Sequence, residues 1–135
     1  MISVKEDNKI HVSWAEIDYL TDRVAKQVVN NYPEIDSVYG IARGGLIPAT
    51  MLSHKLDIPY SSQLSINTLI VDDICDSGVT LKKWKDYKTA VLFHKPLTAC
   101  MTPTIHGNIH TGNEWIIYPW ERKDSQTKQD YLLDK

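Results

Sequence analysis

The sequence predicts an α/β fold, a doubly wound and mainly parallel sheet flanked by helices, on three observations. Short apolar runs at 37–42, 68–71, 90–93 and 115–118 are bounded by glycine, proline or charged residues, as buried strands are. The first two runs lead into glycine-containing turns and then into helical spacing, the strand, turn, helix unit of a parallel sheet. Ligands of such folds bind beyond the carboxyl ends of the strands, so the turns after these runs are where chemistry is expected.

Ser13-Trp14-Ala15-Glu16 has the form of a capping box and starts a helix. Trp14, Ile17, Leu20, Val24 and Val28 step by three or four residues along one face of it, and Pro33 prevents continuation. The strand at 37–42 runs into Arg43-Gly44-Gly45, after which Leu46 to Leu56 is helical with Pro48 in its tolerated first turn. Strand Thr68 to Val71 is followed by an acidic turn from Asp72 to Gly78 and a short helix from Val79 to Asp86. The run at 90–93 ends at His94-Lys95-Pro96, and the run at 115–118 ends before Pro119.

At 135 residues the chain fits one domain spanning 1–135, with the polar stretch 122–135 expected to be a loosely held tail. A net charge of -2 offers no basic face to a phosphate backbone, so nucleic acid is not an expected partner. Two cysteines, Cys75 and Cys100, make no disulfide framework, the amino terminus is polar, and no segment is apolar for long enough to span a bilayer. A cytoplasmic protein without membrane partners is expected. Cys100, His106 and His110 lack the paired spacing of a zinc site, and solvated histidines are the better reading.

The segment Leu69-Ile70-Val71-Asp72-Asp73-Ile74-Cys75-Asp76-Ser77-Gly78-Val79-Thr80-Leu81 carries the chemistry. The strand fixes the turn, and Asp76 to Thr80 then offers successive backbone amides and two hydroxyls, which together cradle an anion such as phosphate. Asp72 and Asp73 would repel that phosphate if they pointed into the cradle, so their partners are ribose hydroxyls or a divalent cation. A short Asp-Ser-Gly match alone would carry little, because such turns are common on surfaces. The full order of apolar strand, paired acids, third acid, Ser-Gly and Thr is far more specific.

In that order the segment resembles the signature of the type I phosphoribosyltransferases, with Ser77 at a position more often Thr. Gly40-Ile41-Ala42-Arg43-Gly44-Gly45 resembles the family's diphosphate-binding turn. Phe93-His94-Lys95-Pro96 and Glu114-Trp115-Ile116-Ile117-Tyr118-Pro119-Trp120-Glu121 are similar to the base-recognition segments of its xanthine-guanine branch. The resemblance implies Mg²⁺-dependent transfer of 5-phosphoribosyl from its diphosphate to a 6-oxopurine, in purine salvage. It implies that Arg43, Gly44, Asp72, Asp73, Asp76, Ser77, Gly78, Val79 and Thr80 bind the donor, with Asp72, Asp73 and Asp76 catalytic and Asp73 approaching the metal. It places Asp76 near N7 of the purine, Lys95 on O6, Trp115 against the ring and the Ile116 backbone at its edge.

Family members carry a long mobile arm before the strand of the acidic motif, and in the xanthine-guanine enzymes the arm supplies a lysine. Here only Tyr60 to Asn67 fills that place, with no basic residue. The resemblance therefore leaves two functional readings: a salvage enzyme, assembled as a homo-oligomer whose neighbouring subunit supplies cover, or a catalytically weak regulatory protein that binds the donor or a nucleotide. Transfer to another base is disfavoured by Lys95, because a cation suits a carbonyl oxygen and not the amino group of adenine.

Overall fold

The computed structural model describes residues 4–122. In chain order its elements are β1 (Val4–Glu6), β2 (Lys9–His11), α1 (Trp14–Asn31), β3 (Ser37–Gly40), α2 (Leu46–Leu56), β4 (Thr68–Cys75), α3 (Val79–Lys82), β5 (Lys88–His94), β6 (Ile105–Ile109) and β7 (Trp115–Ile117). A four-stranded sheet has the order β3-β4-β5-β6 with every pair parallel, so the carboxyl ends of its strands share one end of the sheet. A separate three-stranded sheet has the order β1-β2-β7, with β1 antiparallel and β7 parallel to β2. Beyond Arg122 the tail expected at 122–135 lies outside the described residues.

α1 begins where the capping box predicts, with Ser13 Oγ accepting from the Glu16 amide at 3.1 Å. Val24 and Val28 of α1 and Ala49 and Leu52 of α2 close over Val38, Leu69, Val71, Ala90 and Ile105 of the parallel sheet. Each large aliphatic side chain buried in this way contributes about 1.5–3 kcal/mol. Ile17 and Leu20, nearer the start of α1, pack instead with Val12, Leu92, Ile116 and Tyr118, which ties the small sheet to the large one. Trp14 departs from the predicted face: it is 53% exposed and meets only the edge of the core, its ring 5.9 Å from that of Trp120.

The largest difference from the sequence expectation lies in β4. The acidic turn was expected from Asp72, yet the strand continues to Cys75, with Asp72 paired to Val91, Ile74 to Phe93 and Cys75 to His94. Aspartate has a low strand preference, but an adjacent strand that continues the ladder outweighs it. Asp72 and Asp73 are therefore buried strand residues, and the turn proper is Asp76 to Gly78. α3 is shorter than expected, because after Lys82 the chain tightens into turns in which Trp84 and Tyr87 donate to Leu81 and Trp84.

Candidate functional site

A cleft at the carboxyl end of β4 is walled on one side by Asp72 to Gly78 with Thr80 and Leu81, and on the other by Trp115, Ile116, Tyr118 and Glu121. The structure thus brings the acidic motif and the Trp115 segment together, although more than thirty residues separate them in sequence. Cys75, Leu81 and Val91 form an apolar floor under the turn. Gly78 adopts a φ of 82°, and a side chain there would press on Cys100 at 3.0 Å, so the turn needs glycine for both reasons.

In the turn the Val79 amide bonds Ser77 Oγ at 3.3 Å, and Val79 itself is exposed. The amides of Ser77, Gly78 and Thr80 have no protein partner among the described residues. The Ser77 carbonyl is held by the Cys100 amide at 2.8 Å, which fixes the turn from behind. Successive unengaged amides on a fixed turn are the arrangement that binds an anion.

Asp76 joins the turn to the loop after β5. Its Oδ1 accepts from Thr98 Oγ1 at 2.8 Å, and its Oδ2 lies 3.7 Å from Lys95 Nζ. Lys95 is buried; its Nζ donates to the Glu114 carbonyl at 3.0 Å and sits 5.9 Å from the centre of the Trp115 ring. An ammonium has three donors; one serves the Glu114 carbonyl, and Asp76 at 3.7 Å is an ion-pair partner beyond hydrogen-bond distance, so donors remain for a ligand. Glu114 is itself anchored by Lys5 of β1 at 2.8 Å and lies 3.2 Å from His110, and its carboxyl is held below the usual range first by the hydrogen bond from Lys5.

Sheet register decides which backbone groups of β7 face the cleft. The Trp115 amide donates to Asn8, and the Ile117 carbonyl accepts from Val12, so both point toward the β2 side. Alternation along a strand turns the amide and carbonyl of Ile116 to the opposite, unpaired edge. Ile116 therefore offers one donor and one acceptor side by side.

On the other side of Asp73 lies the glycine turn after β3. A Cβ at Gly44 would collide with the Asp73 carboxylate, and one at Gly45 with the Val71 carbonyl, so glycine is what lets this turn reach the acids. The Ala42–Arg43 peptide is cis. Arg43 is exposed on this turn and does not wall the cleft that holds Trp115. Asp72 Oδ1 accepts from the Asp73 amide at 2.9 Å, and both residues are more than nine-tenths buried.

The donor set suits magnesium. Among the described residues no three His, Cys, Asp or Glu side chains converge as a metal cage. Mg²⁺ rarely uses such a cage: it keeps waters and takes one or two carboxylates together with substrate phosphates, which Asp72 and Asp73 beside an anion-binding turn can provide. Burial first, and then Cys100, Asp72 and Asp76, push the Cys75 thiol up to about 11, which disfavours the thiolate that a nucleophile needs.

Several residues at the site escaped sequence reasoning. Tyr118 is buried, and its hydroxyl donates to the Asp73 carbonyl at 2.9 Å. Glu121 accepts from the Tyr118 amide at 2.7 Å, and Thr98 binds Asp76. The β1–β2 hairpin that carries β7 was also missed, although Asp7-Asn8, with φ of 52° and 59°, is a recognisable two-residue hairpin turn.

No protein-family model matches the chain. It is 28% identical to a xanthine-guanine phosphoribosyltransferase of Cereibacter sphaeroides, over 82% of this chain and 86% of the relative. Its structure is similar to that of a purine phosphoribosyltransferase from Pyrococcus horikoshii, with a TM-score of 0.72 and 29% identity over 90% of this chain and 99% of the other. It also shares its fold with a xanthine-guanine-hypoxanthine phosphoribosyltransferase of Helicobacter pylori, with a TM-score of 0.69 and 24% identity over 84% of this chain and 93% of the other.

Proposed function

We propose that this chain, which has the type I phosphoribosyltransferase fold and is similar over most of its length to xanthine-guanine phosphoribosyltransferases, transfers 5-phosphoribosyl from its diphosphate to N9 of a 6-oxopurine. The observation that carries this reading is that a turn with unengaged amides, a buried acid pair and the half-buried Trp115 meet in one cleft.

The reaction breaks the bond between the sugar and diphosphate, and positive charge develops on the ribose as it does so. Catalysis is then a matter of holding the partners in line and placing fixed charge around them. The Asp76 to Thr80 turn holds the 5-phosphate through the amides of Ser77, Gly78 and Thr80 and the Ser77 and Thr80 hydroxyls. Asp72 and Asp73 face the ribose hydroxyls, and their charge suits the cationic sugar. Arg43 and the Gly44 amide meet the leaving diphosphate. Asp73 would hold Mg²⁺, which when bound would supply the positive charge that the leaving diphosphate needs.

On the base side Trp115 stacks on the ring, and a remaining Lys95 donor meets O6. The amide and carbonyl of Ile116 suit the adjacent acceptor and donor along the edge of a 6-oxopurine. Asp76 lies where a carboxylate can take or share the proton at N7. Such a site is suited to purine salvage. Steady-state assays with guanine, xanthine, hypoxanthine and adenine, each with donor and Mg²⁺, test the reading. Turnover with 6-oxopurines and not adenine is expected, and adenine as the preferred base would overturn it.

One observation favours a second reading, binding without efficient turnover. Only Asp57 to Asn67 joins α2 to β4, and the Thr68 amide already folds back to Ser65 at 3.0 Å, so this segment has no length to cover the cleft. Donor binding in calorimetry with no turnover on any base would select this reading.

A further inference from the structure

The Asp76 carboxylate does not choose its own orientation. Asp76 follows the last residue of β4, and its side chain is neither packed in the core nor bonded within its own turn; what holds it comes from the loop after β5. Thr98 Oγ1 lies 2.8 Å from Asp76 Oδ1, 2.9 Å from the Asp76 carbonyl and 3.5 Å from the Lys95 carbonyl. The hydroxyl has one proton, and the carboxylate is the strongest of the three acceptors, so the proton goes to Oδ1. With Oδ1 taken, Oδ2 is the oxygen left facing the Lys95 ammonium at 3.7 Å.

The loop is itself fixed to the strand end. The Lys95 amide donates to the Cys75 carbonyl at 2.9 Å, and the Thr98 and Ala99 amides both fold back to the Lys95 carbonyl. Lys95, Thr98 and Asp76 are thus three points of one rigid corner between β4 and β5. We infer that Thr98 is a positioning residue of the base site: its hydroxyl sets the rotation of the Asp76 carboxylate, and through it the placement of Lys95 against the purine. The inference rests on the proposed reading of Asp76 and Lys95 as the base-side groups. It names a residue outside the four segments that carry the family resemblance, because Thr98 lies beyond Pro96.

The test compares Thr98→Val, which keeps the shape and removes the donor, with Thr98→Ser, which keeps the donor. Two readouts are taken from each: steady-state kinetics with guanine, and calorimetric titration with guanosine 5′-monophosphate and, separately, with phosphoribosyl diphosphate and Mg²⁺. Thr98→Val is expected to lower kcat/KM for guanine and the affinity for the nucleotide by about tenfold, the scale of one hydrogen bond to a charged group. Donor affinity should stay within about twofold, because the phosphate turn is untouched, and Thr98→Ser should restore the purine-side losses. In an Asp76→Ala background Thr98→Val should cost nothing further, since it acts through that carboxylate.

Equal loss of donor and purine affinity, equal loss in the Val and Ser variants, or an additive loss in the Asp76→Ala background would each overturn the positioning role. A wild-type chain that binds the nucleotide without turnover would refute the transfer reading while leaving the calorimetric comparison decisive for Thr98. A wild-type chain that binds neither ligand would overturn both.

Discussion

Removing the hydroxyl of Tyr118 tests how the two sheets are joined at the acid pair. On the β3 side of β4 the Val71 carbonyl accepts from the Ile41 amide at 2.9 Å. Two residues on, the Asp73 carbonyl faces the same edge, but β3 has already ended at Gly40, and the Tyr118 hydroxyl takes the place of the missing strand donor at 2.9 Å. Burial, reinforced by the Asp73, Glu121 and Asp72 carboxyls, holds the phenol well above its usual range, which favours the protonated hydroxyl that donates to Asp73. Tyr118→Phe keeps the ring contacts with Phe93 at 6.3 Å and with Trp120 at 4.8 Å and removes the hydroxyl's hydrogen bond to the Asp73 carbonyl. The expected loss is about 1–2 kcal/mol, a fall in Tm of about 4–8 °C for a domain of this size. Urea unfolding should show a lower midpoint at an unchanged slope, and Tyr118→Ala should cost more by adding a cavity. A Tyr118→Phe protein as stable as wild type would refute the view that this hydroxyl completes the ladder.

Other expectations follow from the same geometry. Burial, and then their neighbours His106 and Arg23 respectively, lower the His94 and His106 pKa below 6.5, so the unfolded chain binds more protons than the folded one as pH falls. Their contribution is complete above about pH 6.5 and is lost below it; urea midpoints should drop between pH 7 and 5, and by less in His106→Gln. Gly44→Ala should weaken donor binding by tenfold or more, about 1.4 kcal/mol, because its Cβ displaces Asp73; unchanged calorimetric affinity would count against the glycine turn as a donor site. Lys95→Ala should weaken guanine binding more than donor binding, and equal losses would argue against a role on O6. The short segment before β4 predicts slow turnover beside ordinary donor affinity unless another subunit covers the cleft, so fast turnover by a monomer in a dilution series would refute the argument from the arm.

What the sequence made legible is what local physics dictates. α1 could be read because its cap and its apolar stripe are both local, and the β3 turn and α2 because glycine and proline sit where backbone geometry demands them. The turn after β4 could be read for the same reason, since strand, hydroxyls and glycine are contiguous. The extension of β4 through Asp72 and Asp73 could not, because two aspartates argue against a strand and only the neighbouring β5 makes them one. β6 was missed because Ile105-His106-Gly107-Asn108-Ile109 is an edge strand with little of the continuous apolar character of β4 and β5. Tyr118 and Thr98 escaped because their roles are partnerships with residues 45 and 22 positions away.

The hairpin at the start of the chain shows how a segment without chemistry can govern chemistry. β2 pairs in parallel with β7 so that Ile10 lies opposite Ile116, and this register turns the Ile116 amide and carbonyl to the open edge while Trp115 and Ile117 bond inward. A slip of one residue would reverse the alternation and present Trp115 and Ile117 backbone groups instead. The register is held from both sides: Val12 and Ile116 are buried in the same cluster as Tyr118, and Lys5 binds Glu114, whose carbonyl in turn holds Lys95. Recognition of the base edge by Ile116 and of O6 by Lys95 would therefore share one support, the β1–β2 hairpin. The Asp76 to Thr80 turn, proposed for the phosphate, has another, the end of β4 braced by Cys100. Two supports for two halves of a ligand are why base-side and donor-side variants are expected to separate in binding measurements.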